Sequence, residues 1–464
     1  MRLAFVYLPQ EVCPNFFTEK IYKQNSREGA ILPPLGVAYL AAILEKNHVV
    51  KIIDANALCL NVGEIVDQLR IFRPDVLLFS LVTTNFRISL DWIQIIARQI
   101  DVPVIVGGAQ PTVYPVETLV SEEIDFCVVG EGWETLSELV DCLGYNGNCE
   151  SVKGIAFRKD GKVILTEKRQ SKLNIDDVAF PARHLLPNEK YTTIISKRFP
   201  ITAMMSSWGC PFHCTYCGST HRVVLRDPVK VVDEMQECSI RYKIKEIMFY
   251  DEIFSLDRER AVIICREIIR RGLDITWSIR TRADFVDEDL IKLFAKAGCI
   301  RIHYGIESAD SKILKMAKRD IPLSSIIDAV LWSKREKIDV LGLFMLGLPG
   351  ENRQSILKTI KLAKQLPFDY VQITKLVPMP DTELYEKTKE ITGKDPWRDY
   401  VLGKGEIKGL SLFDAELSAD ELDDCLKKAY QSFYFRPGYI FRMLLKIKSF
   451  KELRGLVNSA LALQ

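Results

Sequence analysis

Cys210, Cys214 and Cys217 lie in the stretch Trp208-Gly209-Cys210-Pro211-Phe212-His213-Cys214-Thr215-Tyr216-Cys217-Gly218. Three thiolates at this C-x3-C-x2-C spacing can hold three irons of a cubane cluster. The pattern supplies no fourth protein ligand, so one iron stays open. An open metal position is a reactive one, by the logic that separates catalytic from structural sites. A structural zinc site usually joins two C-x2-C half-sites, and no second half lies nearby.

A reactive loop needs elements to hold it. Residues 200–385 alternate strands with amphipathic helices: strands at 201–206, 246–250, 276–279, 301–304, 340–345 and 370–376, helices at 229–242, 258–271, 287–297, 324–334 and 353–365. Six such units are two short of an eight-fold barrel, and barrel chemistry sits where strands end. Those ends read Tyr250-Asp251-Glu252, Arg280-Thr281-Arg282, Gly305-Ile306-Glu307-Ser308, Gly347-Leu348-Pro349-Gly350-Glu351 and Pro378-Met379-Pro380-Asp381-Thr382. Residues 386–464 read as a helical C-terminal domain that includes a helix at 419–433. Its aromatic run Phe433-Tyr434-Phe435-Arg436-Pro437 reads as packing.

Residues 1–145 show the same alternation, with strands at 3–7, 49–54, 76–80, 104–107 and 126–129. This predicts an α/β, doubly wound (Rossmann-like) domain with a parallel sheet. Ligands of such sheets bind at the carboxyl ends of the strands. Those ends carry Asp54-Ala55-Asn56, Ser80-Leu81-Val82-Thr83-Thr84-Asn85, Gly107-Gly108-Ala109-Gln110-Pro111-Thr112 and Gly130-Glu131-Gly132-Trp133-Glu134. Small residues there let a flat ligand approach the backbone, while hydroxyls and turn amides bond its rim. Residues 146–199 read as a connector whose Asp160-Gly161 marks a hairpin.

The cysteine triad, with Tyr216 just before the third Cys, resembles the radical S-adenosylmethionine enzymes. The strand ends ahead of it resemble the cobalamin-binding domain of their cobalamin-dependent group, the class B radical methyltransferases. The resemblance implies three cofactors: a [4Fe–4S] cluster, S-adenosylmethionine and cobalamin. It implies that the open iron chelates S-adenosylmethionine and that the reduced cluster cleaves it to a 5′-deoxyadenosyl radical. It also implies roles at the barrel strand ends. Asp251 or Glu252 would receive the ammonium, Arg282 the carboxylate, Gly305, Glu307 and Ser308 the ribose. Tyr216, Gly347 and Pro349 would line adenine. Each has an ordinary alternative: Asp251 and Glu252 as helix starters, Arg282 as a surface ion pair, Gly347 to Gly350 as a turn. His213 and His221 flank the cluster without an assigned role.

For cobalamin the resemblance points to Asp54, Ser80, Val82, Thr83, Thr84, Gly107, Gly108, Gln110, Gly130 and Glu131. The Asp-x-His loop that often ligates cobalt reads Asp54-Ala55-Asn56 here, so no His from that loop reaches cobalt. The loop from Thr83 to Phe86 would lie under the lower face. The expected activity is transfer of a methyl group from methylcobalamin to a substrate carbon radical, in a cleft between sheet domain and barrel. The alternatives are oxidative cyclisation or ring contraction without methylation, and methylthio transfer. The last would need three further cluster ligands, for which Cys13, Cys59 and Cys127 can be proposed, and a basic aromatic RNA-binding module, which the C-terminus does not show.

The remaining features bound this reading. A chain of 464 residues, 48% hydrophobic and 27% charged, can bury large cores. A net charge of +2 gives no reason to expect a nucleic-acid partner. Twelve Cys without a disulfide-like framework suit a reducing cytosol, and no signal peptide or apolar run of membrane-spanning length is legible. The expectation is a cytoplasmic enzyme fed by an external electron donor. Its substrate, whether small organic molecule, lipid or protein, is not legible.

Overall fold

Strand-forming apolar runs and amphipathic segments follow one another from the first residues, and each becomes an element. The computed structural model describes residues 1–9, 30–145, 147–170, 174–407 and 416–444. They divide into two compact units, the first built from residues 1–9, 31–191 and 395–407, the second from 192–394 and 416–444.

The first unit centres on β1 (Arg2–Tyr7), β2 (Val49–Asp54), β3 (Val76–Ser80), β4 (Val104–Gly107) and β5 (Phe126–Val128), all parallel and ordered 2-1-3-4-5. This is a doubly wound order with its switch between β1 and β3. Leu3, Ala4, Leu77, Ile105 and Val106 are fully buried, as a sheet covered on both faces requires. Asn61 and Glu64 form a reciprocal capping box on helix Val62–Phe72.

The hairpin β6 (Ile155–Lys159) and β7 (Lys162–Leu165) turns at Asp160 and Gly161, both with positive φ. It is more than a connector, because β6 pairs antiparallel with β5 and extends the sheet to seven strands.

The second unit holds β8 (Ile201–Met204), β11 (Glu246–Phe249), β12 (Thr276–Thr281), β13 (Cys299–Glu307), β14 (Asp339–Leu346) and β15 (Tyr370–Lys375), parallel and in chain order. A short antiparallel ladder, β9 (Ser207–Trp208) with β10 (Val224–Leu225), follows β8. The first barrel strand therefore ends at Met204 rather than at 206. Trp277 anchors the buried side with its indole N–H donating to the Ala297 carbonyl at 2.8 Å, among Phe249, Phe254 and Phe294. This is the expected partial (β/α)6 barrel.

The described residues after 386 are shared between the two units, 395–407 with the first and 386–394 and 416–444 with the second. Residues 395–407 belong to the first unit, where the Tyr114 hydroxyl donates to Asp395 at 2.9 Å and Arg398 pairs with Glu117 at 2.6 Å. Helix Ala419–Tyr434 packs on β15 in the second unit. The Tyr430 hydroxyl lies 3.0 Å from both N and O of Ile373, and Tyr434 bonds N and O of Val371 at 3.0 and 2.8 Å. Residues 408–415 and 445–464 of the expected C-terminal domain, and Cys13, lie outside the described residues.

Candidate functional site

The cysteine loop is closed at its base by β9 and β10. Gly209 follows β9 with φ 82°, and a Cβ there would strike the Arg222 carbonyl, so only glycine fits. The Cys210 N–H donates to the Thr220 carbonyl at 2.9 Å and the Cys217 N–H to the Cys214 carbonyl at 3.0 Å. Cys210 is half-buried, Cys214 buried and Cys217 exposed. Burial raises the Cys210 and Cys217 thiols; Cys210 also feels Cys217 and Cys214, and Cys217 feels Cys214. Cys210 and Cys217 thus need a positive centre nearby to ionise, which a metal cluster supplies. Among the described residues no three His, Cys, Asp or Glu gather around a single-ion position. A cubane is wider than one ion and takes thiolates at separate corners, so donors spread around one loop fit it.

A buried cation backs this loop, and sequence reasoning missed it. Arg319 Nη1 lies 3.9 Å from Cys214 Sγ, Nη2 donates to the Gly305 carbonyl at 2.7 Å, and Glu307 stands 3.5 Å away. Burial opposes its charge, but Glu307, Tyr216 and Cys214 together hold Arg319 above the usual arginine range. Burial likewise raises Glu307, against the pull of Arg319. The Tyr216 hydroxyl is buried with no hydrogen-bond partner, and its ring packs on the apolar cluster of Ile313, Ala317, Leu348, Leu376 and Leu384 beside Met345. Arg319 sits in Lys315-Met316-Ala317-Lys318-Arg319. Its only sequence signal was one cation among three.

Several strand-end residues are tied into the fold by their own contacts. Asp251 is fully buried and accepts from the Ser206 N–H at 2.8 Å and the hydroxyls of Ser206 and Ser207 at 2.5 and 2.6 Å. It ties the end of β11 to the cysteine loop, leaving the exposed Glu252 as the accessible carboxylate. Arg282 grips Asp284 through two nitrogens at 3.0 and 2.8 Å and stacks on Phe212, its Cζ 3.8 Å from the ring centre. The buried Ser308 hydroxyl bonds Thr359 and the Asp310 N–H at 3.2 Å each. Gly347 (φ 88°) makes room for Leu422, which a Cβ would meet at 3.1 Å. Glu307 and half-exposed Pro349 remain where the sequence put them, at the ends of β13 and β14.

Glu351 staples the loop after β14, accepting from the Gly347 and Leu348 N–H groups at 2.7 and 3.3 Å. Burial pushes its carboxyl up to about 7, with Asp310 adding to the rise. The folded chain therefore favours protonated Glu351. That stability is complete below pH 4.5 and is lost as pH rises to about 7, a total of roughly 3 kcal/mol. Glu351→Gln should remove this dependence, so thermal melts of the two proteins should diverge across this window, the variant melting higher at neutral pH. Parallel melting curves would show that Glu351 ionises freely.

The first unit gathers Ser80, Val82, Thr83, Gly107, Gly130 and Glu131 at the carboxyl edge of β3, β4 and β5. Val82 is 38% exposed although apolar. Gln110 Oε1 is buried without a partner, its amide donating to Thr118 at 3.1 Å. Open space faces Gly130 (φ 86°), where a Cβ would meet nothing. An unpaired acceptor, an exposed apolar side chain and an open glycine fit a large flat ligand with polar rim groups. Three other residues also make contacts within the fold. Asp54 is buried, accepts from the Ala57 N–H and the Tyr191 hydroxyl at 2.8 Å each, and caps helix Ala55–Leu58. Gly108 (φ 103°) is required by the Leu81 carbonyl, 2.6 Å from where a Cβ would stand. Thr84 gives its carbonyl to the Tyr400 hydroxyl.

Two family patterns match the chain: the Radical SAM superfamily over residues 205–363 and the B12 binding domain over residues 27–140. The chain is 34% identical, over 93% of its length and 94% of the relative's, to an uncharacterized methyltransferase of Pyrococcus horikoshii. It belongs to the cobalamin-dependent radical S-adenosylmethionine enzymes. It is an enzyme whose cofactors are a [4Fe–4S] cluster, S-adenosylmethionine and cobalamin. It is 29% identical, over 76% of its length and 66% of the relative's, to the anaerobic magnesium-protoporphyrin IX monomethyl ester cyclase of Rubrivivax gelatinosus. Its fold is similar to that of the radical S-adenosylmethionine methyltransferase TsrM from Kitasatospora setae, solved with cobalamin and a [4Fe–4S] cluster. That match has a TM-score of 0.68 and 17% identity, covering 84% of this chain and 78% of the other. Among the described residues no helix is long and apolar enough to cross a membrane.

Proposed function

We propose that this enzyme is a C-methyltransferase, moving a methyl group to an unactivated carbon of its substrate. The observation that carries the reading is the near-full-length likeness to a methyltransferase in a chain with both a cysteine-triad barrel and a cobalamin-type sheet. When bound, the cofactors supply a hydrogen-abstracting radical and a methyl donor; the protein supplies position. Cys210, Cys214 and Cys217 hold the cluster, with Arg319 placing positive charge behind Cys214. Glu252 and Glu307 meet the polar groups of S-adenosylmethionine, while Tyr216 and Pro349 meet its adenine. Ser80, Val82, Thr83, Gly107, Gln110, Gly130 and Glu131 cradle cobalamin, and no His from the Asp54 loop reaches cobalt.

A second reading, oxidative cyclisation without net methylation, is favoured by the likeness to the cyclase. The two differ in product mass. Anaerobic turnover with candidate substrates should yield a product heavier by one methyl group in place of hydrogen. A product that has only lost hydrogens would select the second reading. Methylthio transfer has less support. Cys59 is exposed at the end of a short helix, whereas Cys127 is buried in β5 with its thiol toward the Pro115 carbonyl.

A further inference from the structure

The barrel strands bury one face against their helices. Trp277, Ile279, Ile302, Tyr304 and Ile306 belong to that apolar cluster. Alternation turns Ser278, Arg280, Arg301, His303 and Gly305 to the opposite, inner face. Register sets Arg280 of β12 level with His303 of β13. Tyr250, just past β11, lies beneath the guanidinium, with Arg280 Cζ 5.1 Å from its ring centre.

Of these, Arg280 and His303 take no part in the cofactor contacts described above. Arg301 is occupied lower in the barrel, 3.5 Å from Glu246 and bonded to the Ile195 carbonyl. Arg280 is exposed, and among the described residues its guanidinium has no carboxylate and no hydrogen-bond acceptor. His303 is 7% exposed, and among the described residues its Nε2 has no partner. Burial, with the charges of Arg301 and Arg280, holds its imidazole well below the usual histidine range, so the ring is neutral. One inner face thus carries an uncompensated guanidinium beside an unsatisfied imidazole nitrogen. A guanidinium held over an aromatic ring, with no acceptor of its own, keeps its N–H fork for carboxylate or phosphoryl oxygens. On β14, Phe344 and Leu346 belong to the outer cluster, so Leu343 and Met345 face inward, both half-buried.

We propose that Arg280, braced on Tyr250 and flanked by His303, binds an oxyanionic group of the substrate, whose apolar body lies toward Leu343 and Met345. This rests on the reading that the inner face of the barrel holds the substrate of a radical enzyme. It names the substrate class as an amphipathic acid or phosphoryl ester.

The test uses the full chain reconstituted with its cofactors and three probes of one chain length: octanoate, octyl phosphate and octanol. In calorimetric titration at least one anion should bind saturably and at least about tenfold more tightly than octanol, the size of a charge-assisted hydrogen-bond pair. Preference for octyl phosphate assigns a phosphoryl group, and preference for octanoate a carboxylate. Arg280→Gln should weaken the anion at least about tenfold and leave octanol unchanged. Arg280→Lys, which keeps charge without the fork, should fall between. Octanol binding as well as the anions, no saturable anion binding, or unchanged anion affinity in Arg280→Gln overturns the site. Should Arg280→Gln fail to fold, the probe comparison on the native chain and Arg280→Lys still decide. 5′-Deoxyadenosine made by the native chain under reductant checks the underlying reading separately. A chain that makes it but shows no anion preference loses only the anion site. A chain that binds anions but makes none loses the radical reading.

Discussion

Cys214→Ala should leave the anaerobically reconstituted chain without its brown absorbance and unable to make 5′-deoxyadenosine. Cys214 is the buried member of the triad and the one that Arg319 approaches. Removing it leaves two thiols for three irons, and it leaves a buried guanidinium facing a void. The cluster should be lost outright, because a cubane held at two corners has two open irons instead of one. Cys59→Ala is the matched control. Its thiol is exposed in the first unit, so cluster content and 5′-deoxyadenosine should match the native chain. Iron and sulfide analysis with chromatography of the nucleoside reads both. A full cluster in Cys214→Ala would mean that other residues hold it. Loss of iron in Cys59→Ala would point to a second cluster, as a methylthiotransferase needs.

Gly130→Trp should abolish methylated product while 5′-deoxyadenosine continues to form. Gly130 is the better place for this test than Gly108. At Gly108 any side chain collides with the Leu81 carbonyl, so a substitution there would disturb the sheet itself. At Gly130 nothing stands within 4 Å of the Cβ position, and the local cost is that of a positive φ, about 1–2 kcal/mol. The indole would fill the space at the strand ends where the ligand belongs. The triad, Arg319 and Glu307 lie in the other compact unit, with their own core. Radical formation needs only what that unit holds, whereas methyl delivery also needs the donor within reach of the substrate. Cobalamin content, nucleoside and product are measured together. Methylation that persists in a variant shown to be free of cobalamin would falsify the donor role of the first unit.

The fold was legible because both units repeat one pattern, a short apolar run and then an amphipathic segment. Run length and the switch to a helical period together tell strand from helix there. The triad was legible because metal ligation constrains residue type and spacing together. Individual roles at strand ends were less so. Asp251, Arg282 and Ser308 have the chemistry to meet a polar ligand, but the same chemistry secures neighbouring loops. Only the packing shows that Asp251 serves Ser206 and Ser207, or that Arg282 serves Asp284. Gly108 carried a similar ambiguity, since close approach by a ligand and close approach by the chain's own backbone both demand glycine. Arg319 escaped notice because its partners, Cys214, Gly305 and Glu307, are distant in sequence and meet it only when helix Ser311–Met316 folds back.

A barrel that stops at six strands leaves β15 at an edge, with a row of backbone donors and acceptors able to recruit a strand from another molecule. The hydroxyls of Tyr430 and Tyr434, one helical turn apart, satisfy that row at Ile373 and Val371 much as a seventh strand would. Two phenols thus substitute for a ladder. On this edge the barrel can remain incomplete without offering a template for aggregation, guarded by side chains that cannot themselves propagate a sheet.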